Sequence, residues 1–338
     1  MSQGRQRKLN LVIRRTGLRL ALLACSVAAG ACLPAMPFAA RAHQTPAAGA
    51  DITQAQADLY ERWRSNVRAN ERLAYESGKE YLAKYPEEGE YGAYVRKWVD
   101  DYERASRRLQ FQQLLYRDKK FGEAYAVGKQ VLADDPANLK TMINLSYAGY
   151  FAQEGGTNAA PVSGEALGFA RQSIELIETG NSPSDWKPFS DRPDSLGFLY
   201  FIVGEFVLKD APADAYSHFR RALEHEGSIK TYPVIYARLA AIYTVTDYDP
   251  LAREFQTRYS GRDETPESRA ALDKVYGVVD KIVDAYARAV AHCGAEAKYQ
   301  QARERWHAEL TNYYKARHNN STDGLDALLA GATTKPLP

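Results

Sequence analysis

Six histidines, three cysteines and a few adjacent acids are the groups in this 338-residue chain with chemistry to offer. His218 and His225 stand seven apart, roughly on one face of a helix, and raise the question of a metal site. No Glu-x-x-His or His-Glu-x-x-His string accompanies them, so the ligand set is incomplete. Glu304-x-x-His307 occurs once, without a second set of ligands, and reads as a surface pairing. His292 and Cys293 are neighbours, about 100° apart around a helix, and do not converge on one ion. Cys293 at a helix end reads as a quiet thiol, although a nucleophile with a distant His is the competing reading. Asp100-Asp101 and Asp134-Asp135 fall on solvent faces or turns. No Gly-x-Ser-x-Gly, phosphate loop or dinucleotide fingerprint occurs. The sequence therefore names no catalytic residue, no metal ligand and no cofactor.

What would position such groups is written in a repeat. Residues 74–86, beginning Ala74-Tyr75 and ending at Pro86, recur fifty positions on as 124–136, ending at Pro136. Ala, Tyr, Gly, Lys, Leu, Ala and Pro match in register. Ala74 and Gly78, like Ala124 and Gly128, lie at i and i+4 on one helical face, where a neighbouring helix can come close. A mid-helix Gly costs about 1 kcal/mol against Ala, so a repeated one predicts a contact too tight for a methyl group. The spacing returns more loosely at Ala166, Ala170 and Ser173, and again at Ala215, Phe219 and Ala222.

Here the chain resembles the tetratricopeptide repeat. Ala215-x3-Phe219-x2-Ala222 is similar to the core of that family's second helix, Ala124 with Pro136 to its two ends, and Leu239-Ala240-x2-Tyr243 to its first-helix step with Ala for Gly. The departures are that no Trp opens a unit, Gly128 replaces the usual aromatic, Gly227 stands where Pro is expected, and the spacing is irregular. The resemblance covers residues 51–260. It implies an all-α, right-handed solenoid of antiparallel helix pairs that binds a protein or peptide partner in a concave groove lined by first helices.

Tyrosine is the one unusual abundance, 23 residues against 11 Phe and 4 Trp, none of the Tyr within the first 42 positions. Tyr either fills helix interfaces or offers rigid rings to a peptide. On the first-helix rule implied by the resemblance, Tyr147, Tyr150, Tyr200 and Tyr243 are the groove candidates. Trp186 and Phe189 join them from the Pro-rich stretch 181–194, which reads either as a binding lid or as a strap packed onto the helices.

The amino terminus differs in kind. Residues 1–42 hold seven Lys and Arg and no acid, then an apolar run over 20–40 that closes on Ala40-Arg41-Ala42. Those features describe a secretory signal peptide, with Arg14-Arg15 leaving Sec and twin-arginine export both open. An uncleaved membrane anchor, or a lipidated Cys25 or Cys32, is the alternative, and only these would bring a membrane contact. Without that segment 37 basic side chains face 42 acidic ones, a net charge of about −5, which removes the electrostatic motive for nucleic-acid binding. Only Cys293 remains there, so no internal disulfide forms.

Past a lead-in at 43–50, helical periodicity predicts five pairs over 51–260: two around the repeated segments, then 139–151 with 165–177, 196–208 with 213–226, and 234–244 with 251–259. A Gly- and Ala-rich insert over 155–164 interrupts the third. Residues 261–318 predict a longer closing pair ended by Gly294 between its helices, and 319–338 a short helix and a frayed tail. The function expected is an exported, non-enzymatic scaffold or adaptor of the cell envelope. The alternatives are an enzyme acting on envelope polysaccharide or peptidoglycan, which needs two facing carboxylates, and a periplasmic toxin-neutralising protein.

Overall fold

A computed structural model describes residues 53–86, 89–155 and 160–334. The expected signal peptide, its Cys25 and Cys32, the lead-in and the last four residues lie outside the described residues. Thirteen α-helices and no strand occur among those described. No described helix is long and apolar enough to cross a membrane. The chain divides into two compact units, with the boundary after Thr141.

The first unit contains α1 (Gln54–Asn66), α2 (Glu71–Lys84), α3 (Glu90–Gln112) and α4 (Phe121–Asp134), with a π turn, Gln113–Arg117, closing α3. Adjacent helices pack: α1 on α2, α2 on α3, α3 on α4. Thr53 caps α1 and Asn70 caps α2 through side-chain oxygens on early backbone N–H groups. The two repeated segments take the same form. Each lies in a 14-residue helix with its Ala fourth and its Gly eighth, and each helix stops two residues before the matching Pro. Ala74, Gly78, Ala124 and Gly128 are all buried. A Cβ placed on Gly78 would stand 2.8 Å from Val99 Cγ2 and 3.2 Å from Trp63 Cδ1, so α1 and α3 both close on that point.

The second unit begins within α5 (Leu139–Glu154) and continues through α6 (Ala160–Glu178), α7 (Arg192–Val207), α8 (Pro212–Glu224), α9 (Pro233–Tyr243), α10 (Asp249–Tyr259), α11 (Pro266–Cys293), α12 (Gln300–Arg317) and α13 (Leu325–Gly331). Helix α6 starts inside the stretch expected to be an insert. The packed neighbours are α6 with α7, α7 with α8, and α11 with both α9 and α12. Ala215, Phe219 and Ala222 are fully buried on α8. Two glycines the sequence reading passed over make room there. A Cβ on Gly204 would lie 2.5 Å from the Phe219 ring, and one on Gly197 2.7 Å from Ile229.

One expectation is corrected. The stretches around 234–244 and 251–259 do not form a side-by-side pair; a π turn, Thr244–Tyr248, runs α9 into α10, and the main partner of α9 is α11. The long apolar stripe of α11, with Val275, Val279, Ile282 and Val283 buried, supplies the surface that α9 needs. Gly294 ends α11 with φ 53°, a left-handed backbone that suits glycine.

Close approach and helix propensity pull oppositely at Gly78, whereas propensity acts alone at Gly277, which has open space around it on α11. Gly78→Ala is expected to lose about 1–2 kcal/mol in urea unfolding, overpacking outweighing the propensity gain. Gly277→Ala should gain about 0.5–1 kcal/mol in the same measurement.

Candidate functional site

The groups that sequence reasoning set out as chemistry fall into separate places. Cys293 is fully buried, its Sγ donates to Ala289 O at 3.2 Å, and burial pushes its thiol up to about 11. The neighbouring His292 instead stacks on Tyr236, ring centroids 5.1 Å apart. Glu304 accepts from Gln300 on its own helix, and His318 stacks on Tyr314. Among the described residues no group of three His, Cys, Asp or Glu is placed to hold a metal ion.

His218 and His225 are brought together, though around a ring. Tyr200 of α7 lies between them, with centroids 6.2 Å from His218 and 5.6 Å from His225. Arg221, from the same face of α8, sits 4.7 Å over the Tyr200 ring. Glu178 at the end of α6 accepts from the Tyr200 hydroxyl at 2.6 Å and from Arg221 Nη2 at 2.9 Å. Three helices are thus tied through one carboxylate. Burial, with Arg171 and Arg221 nearby, lowers His218; burial, with Arg221 and Arg192, lowers His225. Nε2 of His225 is buried without a hydrogen-bond partner, a position that disfavours an imidazolium.

The groove candidates are mostly core. Tyr150, Tyr200, Tyr243 and Phe189 are 3 %, 3 %, 6 % and 7 % exposed, so these rings are not open to a ligand. Large rings on the facing sides of packed helices fill the interface, and the first-helix rule did not tell inner face from core. Tyr147 is half-buried against Phe151 and Phe189, and burial pushes its hydroxyl up to about 12. Tyr243 meets Tyr216, hydroxyls 3.5 Å apart, under the Lys281 ammonium.

The Pro-rich stretch packs as a strap. Phe189 stacks on Phe198 of α7 and edges Tyr147, while Trp186 stays half-buried. Asp194 fastens its far end, accepting from Ser190 N at 3.0 Å and from Ser228 N and Oγ at 2.8 and 2.6 Å. Asp191 caps α7 just ahead of it.

A polar cluster lies beside Tyr150. Arg238 of α9 donates to Glu205 of α7 through Nε at 2.7 Å and Nη2 at 2.9 Å, a bidentate pair. Glu154, the last residue of α5, reaches the same Nη2 only at 3.9 Å. These are two carboxylates near one another, but Glu205 is clamped by Arg238 and 8 % exposed, which leaves it no face for a substrate.

A different surface is found in the first unit. On α3, Trp98 and Tyr102 stack at 5.3 Å and 17°, and Tyr75 of α2 stacks on Tyr102 at 5.0 Å and 29°. All three rings are half-buried. Leu109, two turns beyond Tyr102 on the same face, is 63 % exposed. Charged pairs rim the rings: Tyr75 Oη and Lys79 Nζ both donate to Glu103, and Arg107 donates to Asp134 at 2.8 Å. The i, i+4 spacing of Tyr94, Trp98 and Tyr102 is the sequence signal for this face.

No family model matches this chain, and neither does any curated protein or solved structure.

Both histidines have folded values below the ordinary 6.5, so the unfolded chain binds protons there first. Their contribution is present above pH 6.5 and is lost as the pH falls through the folded values. The urea midpoint of the wild type should fall across that window, and the slope should shrink in the His218→Gln/His225→Gln double variant.

Proposed function

We propose that the chain is an exported, non-enzymatic adaptor of the cell envelope, a right-handed solenoid of antiparallel helix pairs that holds a protein or peptide partner. The observation that carries this reading is the stacked Tyr75–Tyr102–Trp98 face with its rim of ion pairs. Binding energy in protein recognition concentrates in a few aromatic anchors ringed by polar groups, and this face has that composition. The rings are pre-ordered by stacking and by the Tyr75–Glu103 hydrogen bond, so little side-chain freedom is left to lose on binding. Export rests on the basic, then apolar, then small-residue order of the first 42 positions. The repeated helix supports the solenoid, because identical placement of Ala and Gly in α2 and α4, and of Pro just past each, is what stacked units require.

The test is selection from a phage-displayed random peptide library on the immobilised protein. The wild type should enrich a common sequence motif. A Trp98→Ala/Tyr102→Ala variant that keeps its helical circular dichroism should bind the selected peptide at least about tenfold more weakly. No enrichment, or equal affinity for the variant, would refute the reading.

A further inference from the structure

The polar cluster at the end of α5 is out of charge balance. Two carboxylates, Glu154 and Glu205, face one guanidinium, and Arg238 spends both directed N–H bonds on Glu205. Glu154 accepts no hydrogen bond from it and stands 3.9 Å away. The side chains of Glu154, Glu205 and Arg238 are 25 %, 8 % and 23 % exposed, so water screens them poorly. The other titratable groups facing Glu154 are Tyr150 on its own helix and Tyr232 just before α9. Burial holds both phenols above their ordinary value, so both stay neutral and neither adds charge. The position adds a third penalty, because the last turn of a helix presents unpaired carbonyls whose partial charge is negative.

We propose that Glu154 is a proton-operated latch on α5: neutral, it lets the last turn seat against α7 and α9, and ionised, it is pushed away by Glu205 and loosens that turn. The contact to be released is already defined, Tyr150 against Phe201 on α7. A neutral Glu154 also gains an O–H that can be donated to a nearby acceptor, which the carboxylate lacks. Desolvation first and Glu205 second raise the Glu154 carboxyl above its ordinary 4.5, with Arg238 opposing. In the interval above 4.5 the folded protein therefore keeps a proton that the unfolded chain has released. The seated state is favoured at low pH, and that advantage is lost as the pH rises through the folded value. This is opposite in sign to the histidine effect on α8, so a whole-molecule melting curve mixes the two.

Hydrogen exchange read locally separates them. On the full chain, amide protection over residues 150–154, corrected for intrinsic rate, should fall severalfold between pH 5 and pH 8, while the middle of α11 stays level. Glu154→Gln, which keeps the shape and removes the titration, should hold the turn protected throughout. Glu205→Gln frees Arg238 to pair with Glu154, and the fall should vanish there as well. Equal profiles in the wild type and E154Q, flat or sloping, would overturn the proposal, as would a wild-type turn that tightens as pH rises.

Discussion

Helices pack as closely as their largest facing side chain allows, and in this chain the closest approaches are made where a side chain is missing. At Gly78 the two neighbours α1 and α3 both close on one Cα, with Trp63, Val95 and Val99 occupying the space a methyl group would need. Around it Tyr60, Trp63, Tyr81, Val95 and Val99 form one buried cluster, so the gap left by glycine is filled by the largest residues of the unit. The second unit uses the same device with the roles exchanged: Gly204 and Gly197 of α7 receive Phe219 and Ile229. The long aromatic face of α3 follows from this. With Val95 and Val99 turned inward to Gly78, the flanking Trp98 and Tyr102 are left on the shoulder of the helix, partly in solvent.

Much of this was legible in the sequence because it rests on local spacing. The doubled Ala-x3-Gly pattern placed α2 and α4 correctly, and Pro86 and Pro136 marked their ends. Gly294 and Pro233 mark the end of α11 and the start of α9 for equally local reasons. What was not legible depended on which helix meets which. Nothing in residues 244–248 announces a π turn, since an inserted residue changes the backbone without changing composition. Tyr150, Tyr200 and Tyr243 have the same residue type as a binding tyrosine, and only their neighbours show that they are buried. The partners Glu154, Glu205 and Arg238 come from three helices spread over more than eighty positions, with no motif to join them.

The two polar clusters of the second unit illustrate how differently charge can be carried within helical packing. Around Tyr200 a single carboxylate, Glu178, satisfies a phenol and a guanidinium, and burial favours the neutral form of the imidazoles beside it. At Arg238 the count runs the other way, two acids to one base, and the excess charge is left at a helix end. Removing Arg238 would cost about 3–5 kcal/mol, because Glu205 would be left without its cation.

Asp194 takes donors from both of its flanks in sequence, Ser190 before it and Ser228 well after it, while Gly227 lies so close that a Cβ there would strike the same aspartate. Two connections therefore share a single anchor, and the length of each is fixed by the other. A foreign epitope or label spliced between Phe189 and Asp194, or into the turn at Gly227, would pull on both. The exposed run ahead of Phe189, at residues 181–185, is where added chain would be borne without disturbing that shared anchor.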